Sequence, residues 1–306
     1  MGLDRVTIGI NAFMRPLKLE KALESIEALE ETPFQVIVAD DSFDKSLNRE
    51  VCREFRKSLD LKYLDLEKDS GASASRNRIV EETSTEYLLL LDDDQYLSGE
   101  IKELEKILRK NQNLGGVAPS WIEDGKRIVD ARDIRVKDGW VVLDTFEDKE
   151  EKEACGTTYF IYDFIATSAL YRTSALEELG WDENFTIGGE HLDFFLEYKR
   201  NSDWRFAITE DVSVVHDPGP GQEGYMDERR NREKLRSSRS YFRKKWGVKG
   251  FLFRERHGQE YEFFMSELLA NIFYTLPNRV HWKLKEKDSF EKFKKAWTKL
   301  TDENFR

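Results

Sequence analysis

Cysteine is nearly absent from this chain. Cys52 and Cys155 are the only two in 306 residues, too few for a disulfide framework or a thiolate metal site, which fits a reducing compartment and two plain packing residues. Long apolar runs are missing too. None reaches the ~18 residues that a membrane helix requires, and Met1-Gly2-Leu3-Asp4-Arg5 carries no signal-peptide apolar stretch. The expectation is a cytoplasmic protein. Gly2 fails as a myristoylation site, because Val6 stands where Ser or Thr is needed. Excess positive charge is absent as well: 49 Lys and Arg face 60 Asp and Glu, a net charge of -11, which makes nucleic acid a poor partner.

What the chain does contain is a regular alternation of buried strands and amphipathic helices. Residues 6–10 form a β-branched run, Leu19, Ala22, Leu23, Ile26 and Leu29 recur at helical spacing, and residues 36–39 are a second apolar run. The order repeats with strands at 61–66 and 86–91 and helices at 75–83 and 100–110. Alternation of this kind predicts an α/β fold, Rossmann-like, with a mostly parallel sheet covered by helices on both faces. Ligands then bind beyond the carboxyl ends of the strands, where Asp40-Asp41 and Asp92-Asp93-Asp94 both fall.

From Lys126 to Phe146 short alternating pieces surround Asp138-Gly139, a hairpin inserted into the rhythm. A strand over 159–172, a helix over 173–179 closed by Gly180, a Gly188-Gly189 loop, a helix over 192–200 and a strand over 212–215 complete the domain. Pro218-Gly219-Pro220-Gly221 marks a break. The predicted division is a catalytic domain over 1–220 and a basic, aromatic, mainly helical extension over 221–306. Residues 228–256 carry 12 Lys and Arg against three Glu. Such a segment either packs on an acidic domain or makes peripheral contact with an anionic membrane face or acceptor.

Leu88-Leu89-Leu90-Leu91 runs straight into Asp92-Asp93-Asp94, placing three carboxylates at one strand tip. Adjacent like charges repel unless a cation joins them. Oxygen-only ligands suit Mg2+ or Mn2+, which keep positions open for phosphate oxygens.

In this order the segments resemble the GT-A nucleotide-sugar glycosyltransferases, and most of all glycosyltransferase family 2, over about residues 5–217. Asn11-Ala12-Phe13-Met14-Arg15-Pro16 is similar to the family's nucleotide loop. Asp40-Asp41-Ser42 looks like its second strand end, and Gly71-Ala72-Ser73-Ala74-Ser75-Arg76-Asn77 its Gly then Ala-Arg-Asn helix start. The resemblance implies a UDP-sugar donor held by Asn11, Phe13, Arg15, Asp41, Arg76, Asp92 and Asp93, with Asp41 accepting the uracil N3–H. It also implies Mn2+ or Mg2+ on Asp94, Asp92 and His216, and a glycan or glycolipid acceptor. The family carries Glu-Asp before a helix, with the Asp as base; here Gly189-Glu190-His191-Leu192-Asp193 puts His191 at that position. Imidazole is a competent base, with Glu190 or Asp193 expected to orient it. His191-Leu192-Asp193-Phe194-Phe195 also resembles a stretch of β1,4-N-acetylgalactosaminyltransferases, which implies UDP-GalNAc or a related donor. Trp121, Trp140 and Trp204 are candidates to stack on sugars, and Trp181-Asp182-Glu183 to frame the acceptor entrance.

Three alternatives stay open. A sugar-1-phosphate nucleotidyltransferase wants a glycine-rich phosphate loop, and Asn11 to Pro16 has no glycine. A retaining transferase is compatible with the altered base position. A non-catalytic binding module would keep the donor residues without needing a base.

Overall fold

The computed structural model describes residues 3–97, 101–137, 139–145 and 148–253. Asp138 and the C-terminal aromatics Trp282, Phe290, Phe293 and Trp297 lie outside the described residues. The chain opens with β1 (Val6–Ala12), α1 (Pro16–Glu27), β2 (Gln35–Asp40), α2 (Ser46–Phe55), β3 (Leu61–Asp65), α3 (Ala72–Glu81) and β4 (Tyr87–Asp92). This is the expected alternation, completed by α2, which the sequence reading did not place. Next come β5 (Gln95–Leu97), α4 (Lys102–Lys110), β6 (Leu114–Glu123), β7 (Lys126–Ile128), β8 (Ala131–Lys137) and β9 (Trp140–Asp144). The strands β10 (Lys152–Ala154), β11 (Thr157–Tyr162), β12 (Phe164–Ile165) and β13 (Leu170–Arg172) lead into α5 (Thr173–Leu179), α6 (Glu190–Asn201) and β14 (Arg205–His216). The described chain ends with α7 (Tyr225–Arg229), α8 (Arg232–Trp246) and β15 (Gly250–Phe253).

The main sheet runs β10-β11-β14-β6-β13-β4-β1-β2-β3. Strands β3, β2, β1 and β4 are mutually parallel, β6 and β14 are parallel to each other, and β13 is antiparallel to both its neighbours. Tyr87 through Leu91 are all buried, as a strand covered on both faces requires. A second sheet, β12-β8-β9-β15, contains the inserted hairpin, where β8 pairs antiparallel with β9 from Asp133↔Asp144 to Lys137↔Trp140.

Three segments differ from the sequence expectation. The strand expected over 159–172 is three strands in two sheets. The last strand begins seven residues earlier, at Arg205, with an irregularity between Thr209 and Ser213. The third, β6, has a sequence that hides it: Gly115, Gly116 and Pro119 are poor strand formers. A Cβ on Gly116 would stand 2.7 Å from the Tyr171 ring, so packing against β13 selects glycine there.

Close packing of α3 on the sheet imposes the same demand at Gly9 in β1, where a Cβ would meet Ile79 Cγ2 at 2.4 Å. Gly9→Ala should therefore overpack this contact and destabilise the protein by about 1–3 kcal/mol. Urea unfolding checks this, and an unchanged midpoint would refute it.

Candidate active site

The carboxyl ends of β1, β2 and β4 meet at one rim of the sheet and open into a cleft of about 850 Å³. After β1 the chain turns sharply at Met14, whose φ is +55°. This turn aims the backbone and Arg15 at the tip of β4. The Phe13 N–H donates to Asp93 Oδ2 at 3.0 Å, and the Arg15 guanidinium pairs with both Asp93 and Asp94. Asp92 Oδ1 accepts from Arg76 at 3.2 Å and from Asn11 Nδ2 at 3.5 Å. Two guanidinium groups thus oppose three carboxylates.

The electrostatics follow from that arrangement. Burial opposes the charge on Arg15, yet Asp93 and Asp94 outweigh it and hold the proton more tightly than usual. Burial, with Asp94 beside it, pushes Asp93 upward despite Arg15. Burial also acts against ionised Asp92, but Arg76, Arg15 and Arg229 overcome it and keep Asp92 below the ordinary carboxylate range.

His216, the last residue of β14, places Nε2 3.8 Å from Asp94 Oδ2, while its Nδ1 lies 2.8 Å from Glu123 Oε2. Among the described residues no three His, Cys, Asp or Glu side chains gather as a metal cage. Of the expected trio, Asp92 is engaged by Arg76 and Asn11, Asp94 by Arg15, and His216 faces Asp94.

The two aspartates at the end of β2 divide their work. Asp40 turns inward, accepting from the Ser42 N–H at 2.9 Å and the Tyr63 hydroxyl at 2.7 Å. Asp41 lines the cleft and accepts from the Gly71 N–H at 2.7 Å. Burial first, then the neighbouring Asp40 and Asp69, raise Asp41 to about 6 against the pull of that N–H. Gly71 has φ +91°, and a Cβ there would stand 2.6 Å from the Thr186 carbonyl oxygen, so the close approach of the two loops needs glycine. Arg76, five residues into this turn and helix, is buried with Nη1 lacking a partner.

Elsewhere in the cleft lining, Gly188 and Gly189 adopt positive φ and deliver Glu190 and His191 as the first residues of α6. The His191 Nε2–H donates to the Ile165 carbonyl at 2.9 Å. That fixes the lone pair on Nδ1, which is buried without a partner, as is Glu190 Oε2. Burial, reinforced by Arg76, pulls the His191 pKa down to about 3. Asp193 does not join His191: residues two apart on a helix point to opposite sides. Its carboxylate instead accepts from Trp246 Nε1 at 2.7 Å and Lys245 at 2.8 Å.

Of the three tryptophans, Trp121 lines the cleft; Trp140 sits in the hairpin, and Trp204 Nε1 donates to Glu178 at 2.7 Å. The Trp181 backbone is tied to Asn77 through its N–H at 2.9 Å and its carbonyl at 2.8 Å. Sequence reasoning missed residues after position 220. Tyr225 sits under the Arg15 guanidinium at 5.0 Å, and Arg229 and Lys234 also line the cleft. No local pattern announces them, because a chain return places them there: the Gln222 N–H donates to the Met14 carbonyl at 2.7 Å.

Residues 7–180 match the model of glycosyl transferase family 2. The chain is 29% identical over 212 residues to a teichoic acid poly(glycerol phosphate) polymerase of Staphylococcus epidermidis, covering 67% of this chain and 26% of that protein. It therefore spans about a quarter of that relative's length. A Bacillus subtilis protein called uncharacterized glycosyltransferase YwdF is 23% identical over 246 residues, covering 74% of this chain and 80% of that one. Among solved structures, S. aureus TarS 1-349 in complex with UDP-GlcNAc superimposes with a TM-score of 0.51 at 18% identity, covering 71% of this chain and 60% of the other. The same protein in complex with UDP gives 0.51 at 17% identity, covering 78% and 65%. That likeness shows the fold, and the architecture is GT-A. With more than half its length matched by the family model, the chain belongs to glycosyl transferase family 2.

Proposed function

We propose that this protein transfers a sugar from a UDP-N-acetylhexosamine to a hydroxyl of a glycan or glycolipid acceptor, with inversion at the anomeric carbon. The observation that carries this reading is the set of groups that share one cleft: Asp41, the Asp92–Asp94 and Arg15 cluster, and Glu190 with His191. Asp41 accepts the uracil N3–H, a suitable donor for a carboxylate. Arg76, with one nitrogen lacking a partner, faces the diphosphate. The TarS complexes with UDP and UDP-GlcNAc support the donor class, and both UDP-GlcNAc and UDP-GalNAc fall within it.

The acceptor oxygen bonds to the anomeric carbon as the bond from that carbon to the diphosphate oxygen breaks, and the hydroxyl proton passes to the enzyme. His191 was the expected base. A ring whose pKa lies near 3 is a weak one, so the duty falls to the unpartnered Glu190 Oε2, with His191 Nδ1 left to accept from a second hydroxyl of the acceptor. A divalent ion would be held by Asp94 and His216, where Nδ1 of His216 is engaged by Glu123 and Nε2 is left to ligate, with the ion taking the place of Arg15 on Asp94 Oδ2. When bound, such an ion neutralises charge that develops on the leaving diphosphate.

Calorimetry should show UDP binding preferred over GDP and TDP, strengthened by Mn2+ relative to EDTA, with the Mn2+ effect lost in Asp94→Ala. Absence of UDP binding under both conditions would remove the reading in favour of a module for another ligand. Because Asp41 must be ionised to accept N3–H and titrates near 6, UDP affinity should be flat above pH 7 and fall toward tenfold per unit below pH 6. Asp41→Asn should weaken binding by ~1.5–3 kcal/mol and flatten that profile; a wild-type profile without an inflection there would count against Asp41. Glu190→Gln should lower kcat by ~10²–10⁴-fold with UDP affinity kept, and His191→Ala should cost less. NMR of the product anomeric centre decides inversion, and retention would eliminate Glu190 as base.

A further inference from the structure

His216 is held from two directions. Its Nδ1 lies 2.8 Å from Glu123 Oε2, and its ring packs against the Trp121 indole with centroids 4.6 Å apart and planes at 38°. Sheet register produces both contacts. Val214 pairs with Trp121 and Val215 with Ile122 in the parallel β6 and β14 ladder, so Glu123 comes level with His216 one step further on. Trp121 and Glu123 are two apart on β6 and therefore share a face. On its other edge His216 pairs with Gln95 of β5, one residue after Asp94. Trp121, His216 and Asp94 line the cleft, and Glu123 stands behind them, outside its lining.

A carboxylate oxygen only accepts, so at 2.8 Å the imidazole donates from Nδ1. That leaves the lone pair on Nε2, which stands 3.8 Å from Asp94 Oδ2, the oxygen that also pairs with Arg15 and that a bound cation would take over. Without Glu123 the neutral ring would be free to carry its proton on Nε2 and donate it to Asp94. The two groups would then satisfy each other instead of sharing a cation. Outer carboxylates act on ligating imidazoles in this way, fixing the tautomer and raising the basicity of the ring.

We propose that Glu123 is a positioning residue that locks His216 in the Nδ1–H tautomer, so that His216 Nε2 and Asp94 form a two-ligand seat for a divalent cation shared with the donor diphosphate. The inference rests on the metal-dependent reading of the cleft. Glu123 never touches the donor; its action passes through the imidazole. Trp121, fixed by its own Nε1–H donation to Ser168 Oγ at 2.6 Å, prevents the ring from tilting out of line.

Two measurements on the full-length chain test this. The first is the tautomer of His216, read from two-bond 15N–1H correlations in protein labelled at histidine, with His216→Gln to assign its signals among the four histidines. The second is Mn2+ affinity in the presence of UDP, read from the electron paramagnetic resonance of free Mn2+. Wild type should show the Nδ1–H form. Glu123→Ala should populate the Nε2–H form and weaken Mn2+ by roughly 10–100-fold, with metal-free UDP affinity and melting temperature kept. Glu123→Gln, which retains an acceptor oxygen, should keep the Nδ1–H form and lose less than tenfold. An unchanged tautomer in Glu123→Ala, or Mn2+ affinity within twofold of wild type, would overturn the positioning role. Wild-type protein that takes up no Mn2+ with UDP would overturn the cation seat and the metal reading together, while UDP binding in EDTA would leave the donor assignment standing.

Discussion

The cleft depends on Arg15. Three consecutive aspartates at the tip of a buried strand would repel one another strongly in a region of low dielectric, and a lone buried carboxylate costs several kcal/mol. The guanidinium of Arg15 answers two of them at once, and Arg76 answers the third. Arg15 reaches that position because the chain leaves β1 through the strained turn at Met14 and because the Tyr225 ring supports its other face. Arginine suits this task better than lysine, since its planar fork spans two carboxylates and stacks on an aromatic ring.

The same balance leaves the cleft prepared for a charged ligand. Arg76 Nη1, Arg15 Nε, Glu190 Oε2 and His191 Nδ1 are buried polar atoms without partners, and such groups are costly unless something arrives to satisfy them. All four residues line the cleft. In the proposed reaction the arginine nitrogens meet an anion and Glu190 Oε2 meets the acceptor hydroxyl.

The strong charge asymmetry along the sequence also has a structural counterpart. Lys245 bridges Asp182 and Asp193, and Lys234 bridges Asp69 and Glu228. Basic residues of α8 thereby tie the segment after position 220 to the acidic α/β domain. Burial is what raises Asp193, and Lys245 compensates it. Phe242 is fully buried and packs edge-on to Phe185 and Phe251. The two helices that follow the Pro-Gly break are consequently part of the wall of the cleft, α7 through Tyr225 and Arg229 and α8 through Lys234. No helix among the described residues is long and apolar enough to cross a membrane.

Much of this was written locally in the chain. The β-branched runs at 6–10 and 36–39, the leucines at 88–91 and the helical spacing of Leu19, Leu23 and Ile26 determine a parallel α/β sheet, because burial on both faces demands continuous apolar strands. Strand ends then fix where Asp41 and Asp92 to Asp94 stand. Other features were illegible for physical reasons. Gly115, Gly116 and Pro119 conceal β6, since only tertiary contacts, of Gly116 with Tyr171 and of Gly115 with Ala175, Trp204 and Phe206, explain the two glycines. Asp193 looked like a neighbour of His191 in sequence, yet helix geometry sends it toward Trp246. The basicity of His191 is set by burial, which no sequence spacing reports. By itself, then, the sequence determined the sheet, the family and the rim that carries the carboxylates, because those follow from period and strand ends. The tertiary structure alone decided that Arg15 neutralises Asp93 and Asp94, that Glu123 grips His216, and that Tyr225 joins the cleft. Each of those contacts joins residues dozens to hundreds of positions apart, where local periodicity carries no information.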